Sequence, residues 1–523
     1  MAAMKKLLVF LALSFAAFNV LAIELGELGA LNLNLTTAIA KVDMTGNTSA
    51  TFAREGIFAT TDFSASYMKA FDGYYVKSSM AMRYTDDPSL KGADYFDFQR
   101  FNAELGSGLS KVIAGDYYAE MSRYTLGTQG RGLFGIYSAG QFSIKPFAAR
   151  TLASRENAQY ARYSTGLRAD WTSEMLTAGI NFVHSFDDKS SLKTAPPSGK
   201  ILRNTLYSVN AALNLGRDLK IDGEFAGSKY IDESADAKWL DSSAFFLKSA
   251  FMVFDVRGTA EYERAGNDFT SLAGFVNTDR QTFKLNLQKM LDEKLRVYAT
   301  LERYNDNLAD KKNATLVSVA PKIGCEYYEG KYAVNYSFRY IGRHDSASIN
   351  NNNFVNSIDG FYALDFMKTD MTFENSIYSD GKTRTNSYTT NYVTANLKFP
   401  LKPAENVAVN PGVGGSLNFE ALNYLSGTDE RFGVNTTGTV RFSLYVEAFK
   451  FLEIGGLFSL SAVDKCNAED STRSDASANV SVFFSEKKDM SVKAEYSALK
   501  YSPGSGVGSY GQETVKVAVS LVF

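Results

Sequence analysis

Along most of the chain, hydrophobic and polar positions alternate with a period of two. Between 282 and 288, Phe283, Leu285 and Leu287 fall on one face, and Lys284, Asn286 and Gln288 on the other. Tyr332, Val334, Tyr336, Phe338 and Tyr340 repeat the pattern against Ala333, Asn335, Ser337 and Arg339. Val440, Phe442, Leu444, Val446 and Ala448 do the same against Arg441, Ser443, Tyr445 and Glu447. A helical period fits none of these segments. An extended chain puts successive side chains on opposite faces, so the pattern predicts amphipathic β-strands.

Alternation alone describes a soluble sandwich as well as a membrane barrel, and the connections separate the two. Tight turns are predicted at Asp72-Gly73, Ala139-Gly140, Gly216-Arg217-Asp218, Asp292-Glu293, Glu329-Gly330 and Lys487-Lys488-Asp489. Longer polar connections lie between them, at 45–55, 85–94, 187–200, 232–238, 265–279, 306–313, 466–477 and 503–511. Membrane barrels show this rhythm, with tight turns on the periplasmic side and long loops outside. The prediction is an all-β chain forming a single large antiparallel transmembrane β-barrel. Counting segments gives about 24 strands within a range of about 22 to 26, the upper number applying if 361–367 and 371–378 form an extra hairpin. Counting back from the last strand places 342–387 outside as one long stretch, with the Asn350 to Asn353 run in it. That stretch and 265–279 are the segments expected to fold into the lumen.

The start of the chain reads as a targeting signal. Lys5 and Lys6 precede an apolar run at 7–18, and Val20-Leu21-Ala22 makes a small-residue cleavage site, so 1–22 is predicted to be a signal peptide and 23–523 the barrel. No cysteine follows the site to carry a lipoprotein anchor, and no later run of about 18 apolar residues could form a spanning helix. Little chain separates residue 23 from the first strand near Leu28, which argues against a TonB-dependent receptor with a folded plug. No middle plug or soluble end domain of an usher is evident.

The closing segment sets Val515, Val517, Val519, Leu521 and Phe523 against Thr514, Lys516, Ala518 and Ser520. It resembles the terminal signal of Gram-negative outer-membrane proteins, with Val519, Leu521 and Phe523 as its core; the likeness is to a porin-like class and to no particular family. It implies an outer-membrane location, contact with outer-membrane lipid and insertion by the barrel-assembly machinery. A second pattern, Gly115-Asp116-Tyr117-Tyr118 followed by Arg123-Tyr124-Thr125-Leu126-Gly127 and Arg131-Gly132, is similar to stretches in exported barrels.

Composition narrows the chemistry. With 55 Lys+Arg against 57 Asp+Glu there is no field to attract nucleic acid and no polybasic lipid anchor. Nine Pro and no Pro/Ser linker favour one continuous architecture. Cys325 and Cys466 are expected near a turn and in an outer loop, too far apart to bond. The two histidines, His184 and His344, lie in no nucleophile–base pattern, so no enzymatic activity and no cofactor are expected. No zinc spacing or phosphate loop occurs, and Asp464, Glu469, Asp470 and Asp475 match no defined Ca²⁺ loop and read as a solvated patch. Among 30 tyrosines, Tyr74, Tyr75, Tyr84, Tyr117, Tyr118, Tyr327, Tyr328 and Tyr340 fall near strand ends and read as interfacial girdles, with sugar stacking as the alternative.

Turning the polar face inward predicts a lumen lined by Lys220, Asp222, Glu224, Lys284, Arg296, Glu302, Arg339, Arg441, Glu447, Lys493, Glu495 and Lys516. Both signs are present, which argues for weak ion selectivity or for cross-strand pairs that hold the wall. The function expected is a porin-like channel for passive diffusion of small hydrophilic solutes, acting as a monomer. The alternatives are a structural or adhesive barrel with an occluded lumen, or a conduit in a secretion or electron-transfer complex.

Overall fold

A computed structural model describes residues 29–522, apart from 48–53, 91–94, 156–157, 193, 195–198, 235–237, 383–385, 427–428, 466–468, 486 and 506–507. The segment 1–22, Cys466 and Phe523 therefore lie outside the described residues. The rest forms one 27-stranded sheet in which all neighbours pair antiparallel, from β1 (Ala30–Gly46) to β27 (Tyr510–Val522). The short β21 (Leu401–Ala404) continues the line of β20 (Tyr388–Lys398), since both pair with β22 (Val407–Ser426). The ring thus has 26 staves. It closes where β1 meets β27, from Asn34↔Val522 to Gly46↔Tyr510, so neither terminal strand is left as an open edge. With about 4.8 Å between strands and a tilt near 40°, a circular ring of this size is roughly 50 Å across its backbone.

All six predicted tight turns fall at one end of the barrel, here the turn end; the opposite end is the loop end. Gly73, Gly140, Gly216 and Gly330 occupy turn positions with positive φ, which glycine adopts without a Cβ penalty. Strand alternation appears where the sequence placed it, with Phe283, Leu285 and Leu287 in β14 (Arg280–Met290).

Two expectations are overturned. Residues 342–387 are not an outer loop: β17 (Tyr332–His344), β18 (Asn350–Ala363) and β19 (Lys368–Asp380) are consecutive staves, and the turn at 364–367 sits at the turn end. The asparagine run hid the strand because it is polar on both faces. Its side chains find partners at the loop end, where Tyr340 donates to Asn352 at 2.6 Å and Ser376 to Asn353 at 2.8 Å. This stretch cannot fill the lumen, because it is wall. The predicted loop 466–477 is likewise too long: β25 (Ser471–Phe483) starts at Ser471, its small polar residues having masked the alternation.

Directly opposed residues in an antiparallel ladder point to the same side, so the register carries one face from stave to stave around the ring. One face holds exposed apolar side chains such as Ile180, Phe182, Val209 and Phe225. A membrane barrel presents such a face to lipid. The other face is polar.

Candidate functional site

All twelve predicted lumen residues fall on that polar face. On β11 (Leu219–Asp232), Lys220, Asp222 and Glu224 stand opposite Asn214, Ala212 and Asn210 of β10 (Leu202–Asn214). Lys284 of β14 lies between Glu261 of β13 (Val256–Ala265) and Glu302 of β15 (Leu295–Asp306). Arg296 on β15 faces Glu326 on β16 (Val317–Glu329), and Arg339 on β17 faces Lys322 of that strand. Arg441 and Glu447 on β23 (Asp429–Ala448) oppose Ser459 and Glu453 of β24 (Leu452–Asp464). Lys493 and Glu495 on β26 (Met490–Pro503) oppose Ala518 and Lys516 of β27. On the closing strand, Val519 and Leu521 take the apolar face, opposite Thr37 and Leu35.

Most of these charges are neutralised by neighbours. Lys493 and Lys516 both reach Glu495, at 2.6 and 3.4 Å, Lys220 reaches Asp222 at 3.4 Å, and Arg296 pairs with Glu326. Lys284 and Glu302 are 3.9 Å apart, and Lys488 bridges Glu447 and Glu453. Arg339 and Arg441 have no carboxylate partner among the described residues.

A feature the sequence reading did not foresee lies at β5 (Ser110–Ser122) and β6 (Leu126–Ala139). These two pair with each other along their length. Yet β4 (Phe96–Ser107) pairs with β5 only from Asn102↔Gly115 to Ser107↔Ser110, and β7 (Phe142–Leu152) reaches β6 no further than Arg131↔Arg150. Above those points the hairpin leaves the wall. Its tip, Arg123, donates from its backbone N–H to Glu224 on β11 and from its guanidinium to Glu263 on β13 at 3.1 and 3.0 Å. Ser122 bonds Ser208 on β10. Partners so far along the ring are reached by a chord through the interior, on the polar side, which makes that side the lumen face.

The loop 266–279 folds in to meet the hairpin, as expected for 265–279. Phe269 packs edge-on against Tyr124 with ring centroids 5.6 Å apart, and both are fully buried. The Thr270 carbonyl accepts from Asn204 at 3.0 Å and Ser228 at 2.7 Å, and Gly127 N–H donates to Ala273 at 2.8 Å. Met121, Leu126, Val183 and Leu206 complete an apolar cluster inside the barrel. The loop is tied at its far end by Asp279, whose carboxylate accepts from Leu308 N–H at 2.8 Å and pairs with Lys312 at 2.8 Å. Burial alone would raise the Asp279 pKa, but these partners bring it below the ordinary carboxylate range, and Asp279 and then Asp306 raise that of Lys312.

The bend explains part of the second sequence pattern. Gly115 has φ +104°, and a Cβ there would collide with the Phe101 carbonyl oxygen, so only glycine fits where the hairpin turns inward. Asp116 and Arg131 then form a two-pronged ion pair at 2.7 and 3.0 Å across the hairpin base.

Other candidates are dispersed. His184 bonds Thr205 at 2.9 Å on the apolar face of β9 (Leu176–Asp188), and His344, the last residue of β17, bonds Asn350 at 2.7 Å. Cys325 is free. Asp475 pairs with Arg473, Asp470 accepts from Lys465 N–H, and Glu469 from Ser505; no metal-binding group of acids occurs among the described residues. The girdle reading fits Tyr74, Tyr84, Tyr327 and Tyr340, which take the apolar face. It fails for Tyr75 and Tyr328, which take the polar face, and for Tyr117, buried at the base of the hairpin.

No family model matches the chain, and no curated protein does either. Among solved structures it is similar to the outer membrane transporter YddB from Escherichia coli, at 10% identity over 94% of this chain and 80% of that one, with a TM-score of 0.46. The P pilus usher (PapC) translocation pore gives 9% identity, 94% and 99% coverage and a TM-score of 0.43. Pseudomonas aeruginosa OpdQ gives 9%, 94% and 98%, and 0.31. These likenesses are of fold only. By its closed antiparallel ring, apolar outer face and polar inner face, the chain is a single large all-β barrel of 26 staves.

Proposed function

We propose that the protein is an outer-membrane channel through which small hydrophilic solutes diffuse passively. The observation that carries this reading is the unbroken polar face, which the register runs round the ring from β7 through β27 to β4. A polar inner wall on a ring roughly 50 Å wide holds water, because such a bore is too wide for its own side chains to fill. The inward hairpin and loop 266–279 cover the sector from β9 to β13 and narrow the bore from one side. Their fixed seat makes them a constriction with no energy coupling. Charge pairing along the wall supports weak ion selectivity, since isolated rings of one sign are what select strongly. The chain acts as a monomer, because the ring closes on itself and a barrel this wide needs no neighbouring subunit.

Planar-bilayer recording of the purified, folded protein tests the proposal. Stable nanosiemens-scale steps are expected, with little preference between K⁺ and Cl⁻. Silence from correctly folded protein would overturn it.

A further inference from the structure

Where the β5–β6 hairpin leaves the wall, it opens a breach between β4 and β7 at the loop end. Ladder bonding stops at Asn102 on β4 and at Arg131 on β6, so among the described residues the edge of β4 from Phe96 to Phe101 has no strand partner on that side. Side chains replace part of the missing ladder: Phe101 N–H donates to Asp116 at 2.8 Å, and Arg131 reaches the Gln99 carbonyl at 3.5 Å. A cavity of about 420 Å³ fills the breach, lined by Arg100, Arg131, Arg150, Asp116, Gln99 and Thr151 among others.

The charge there is unbalanced. Three arginines line the cavity with one carboxylate, Arg100 from the inner face of β4 and Arg131 and Arg150 from the outer face, and Asp116 is already engaged by Arg131. Arg100 and Arg150 form no salt bridge among the described residues, and Arg100 acts on Asp116 only through a longer-range charge interaction. Arg131 and Arg150 stand directly opposite each other, a like-charged pair that destabilises a ladder unless an anion lies between them. Both alternate with Gly132 and Ala149 of the lumen face, so they point outward, toward lipid. Just below them the outward face is apolar, with Leu133 and Leu167 exposed. Guanidinium groups bind phosphate oxygens in pairs, and backbone groups on an open edge in a membrane need polar partners.

We propose that this breach is a seat for the phosphorylated head group of a membrane lipid, with its acyl chains lying over Leu133 and Leu167. The proposal rests on the barrel spanning a membrane, and not on its conducting. The shared chemistry with free phosphate is the phosphate itself; the apolar strip below the arginines favours a lipid.

The test uses the full chain in nanodiscs, with Leu133→Trp as reporter in a Trp171→Phe, Trp239→Phe background. Quenching by brominated phosphatidic acid is compared with quenching by brominated phosphatidylcholine at equal mole fraction. A phosphatidic acid preference is expected, falling about fivefold in Arg150→Gln, further in Arg150→Glu, and largely kept in Arg150→Lys, since each basic residue at an anionic surface contributes about that factor. Equal quenching by the two lipids, or a preference unchanged in Arg150→Glu, overturns the proposal. So does its abolition by excess inorganic phosphate, which would mark a site for the free anion. Bilayer recording of the parent protein is read separately, so loss of conductance and loss of lipid preference refute different statements.

Discussion

Phe269→Ala should release loop 266–279 from the inward hairpin. The Phe269 ring is fully buried against Tyr124, and truncating a buried phenylalanine to alanine costs about 3–5 kcal/mol, because contact is lost and a cavity remains. This part of the loop is also held by the burial of Ala273, by the Lys311–Asp268 ion pair and by hydrogen bonds, among them those from Asn204 and Ser228 to Thr270, from Leu272 to Asn204 and from Gly127 to Ala273. Each of these hydrogen bonds contributes about 1 kcal/mol net. The ring therefore matches most of these bonds together, and each ordered loop residue costs about 1–2 kcal/mol of backbone entropy. Losing about 3 kcal/mol moves the release equilibrium by roughly a hundredfold. Hydrogen exchange read by mass spectrometry measures this directly. Amides in 266–279 and 117–130 should exchange roughly a hundredfold faster in the variant. Peptides from β24 to β27 should not change. Unaltered protection in the loop and hairpin would refute the anchoring role of Phe269 and with it the description of these segments as a fixed constriction.

Three further outcomes follow from other contacts. The lowered Asp279 carboxyl lends stability that is present above its ordinary value of 3.8 and lost as pH falls through its lower folded value. The raised Lys312 ammonium lends stability present below 10.5 and lost as pH rises through its higher folded value. Protection of amides at 266–279 and 307–316, taken relative to their intrinsic exchange at each pH, should thus be greatest at intermediate pH and fall at both extremes, and Asp279→Asn should remove the acid limb; a flat protection profile in the parent contradicts the clamp. Gly115→Val should lower the urea midpoint of folding by an amount equivalent to about 1–3 kcal/mol, since its φ of +104° and the Phe101 carbonyl both exclude a branched side chain, whereas Gly140→Ala, with open space around it, should cost less. Arg339→Glu and Arg441→Glu should each shift the reversal potential in a KCl gradient toward cation preference more than Lys284→Glu does, because Lys284 starts among carboxylates and the two arginines do not; equal shifts would show that pairing does not govern selectivity.

Much of the wall was legible because strand alternation is a local property. Phe283 and Lys284 must point to opposite faces in any extended chain, and Gly73 or Gly330 can turn it sharply wherever it lies. The same rule placed all twelve candidate lumen residues on one face, and the register agrees on that shared face. It failed at 350–353 and 471–477, where both faces are polar and the period leaves no trace, so the upper strand count depended on a hairpin whose first strand it could not see.

The inward hairpin was illegible for a different reason. Leu126, Tyr124 and Phe269 look in sequence like ordinary apolar residues near strand ends, and nothing local tells whether such a residue meets lipid, water or another part of the chain. That was settled by contacts such as Arg123 with Glu263, 140 residues apart, which exist only once the ring has closed and brought β13 across from β5. The sequence by itself determined a barrel with a polar inner face and its turns gathered at one end, because these follow from a two-residue period and turn chemistry. Only the tertiary structure decided which stretch fills part of the lumen and where the wall is breached, because both are set by residues that meet across the ring.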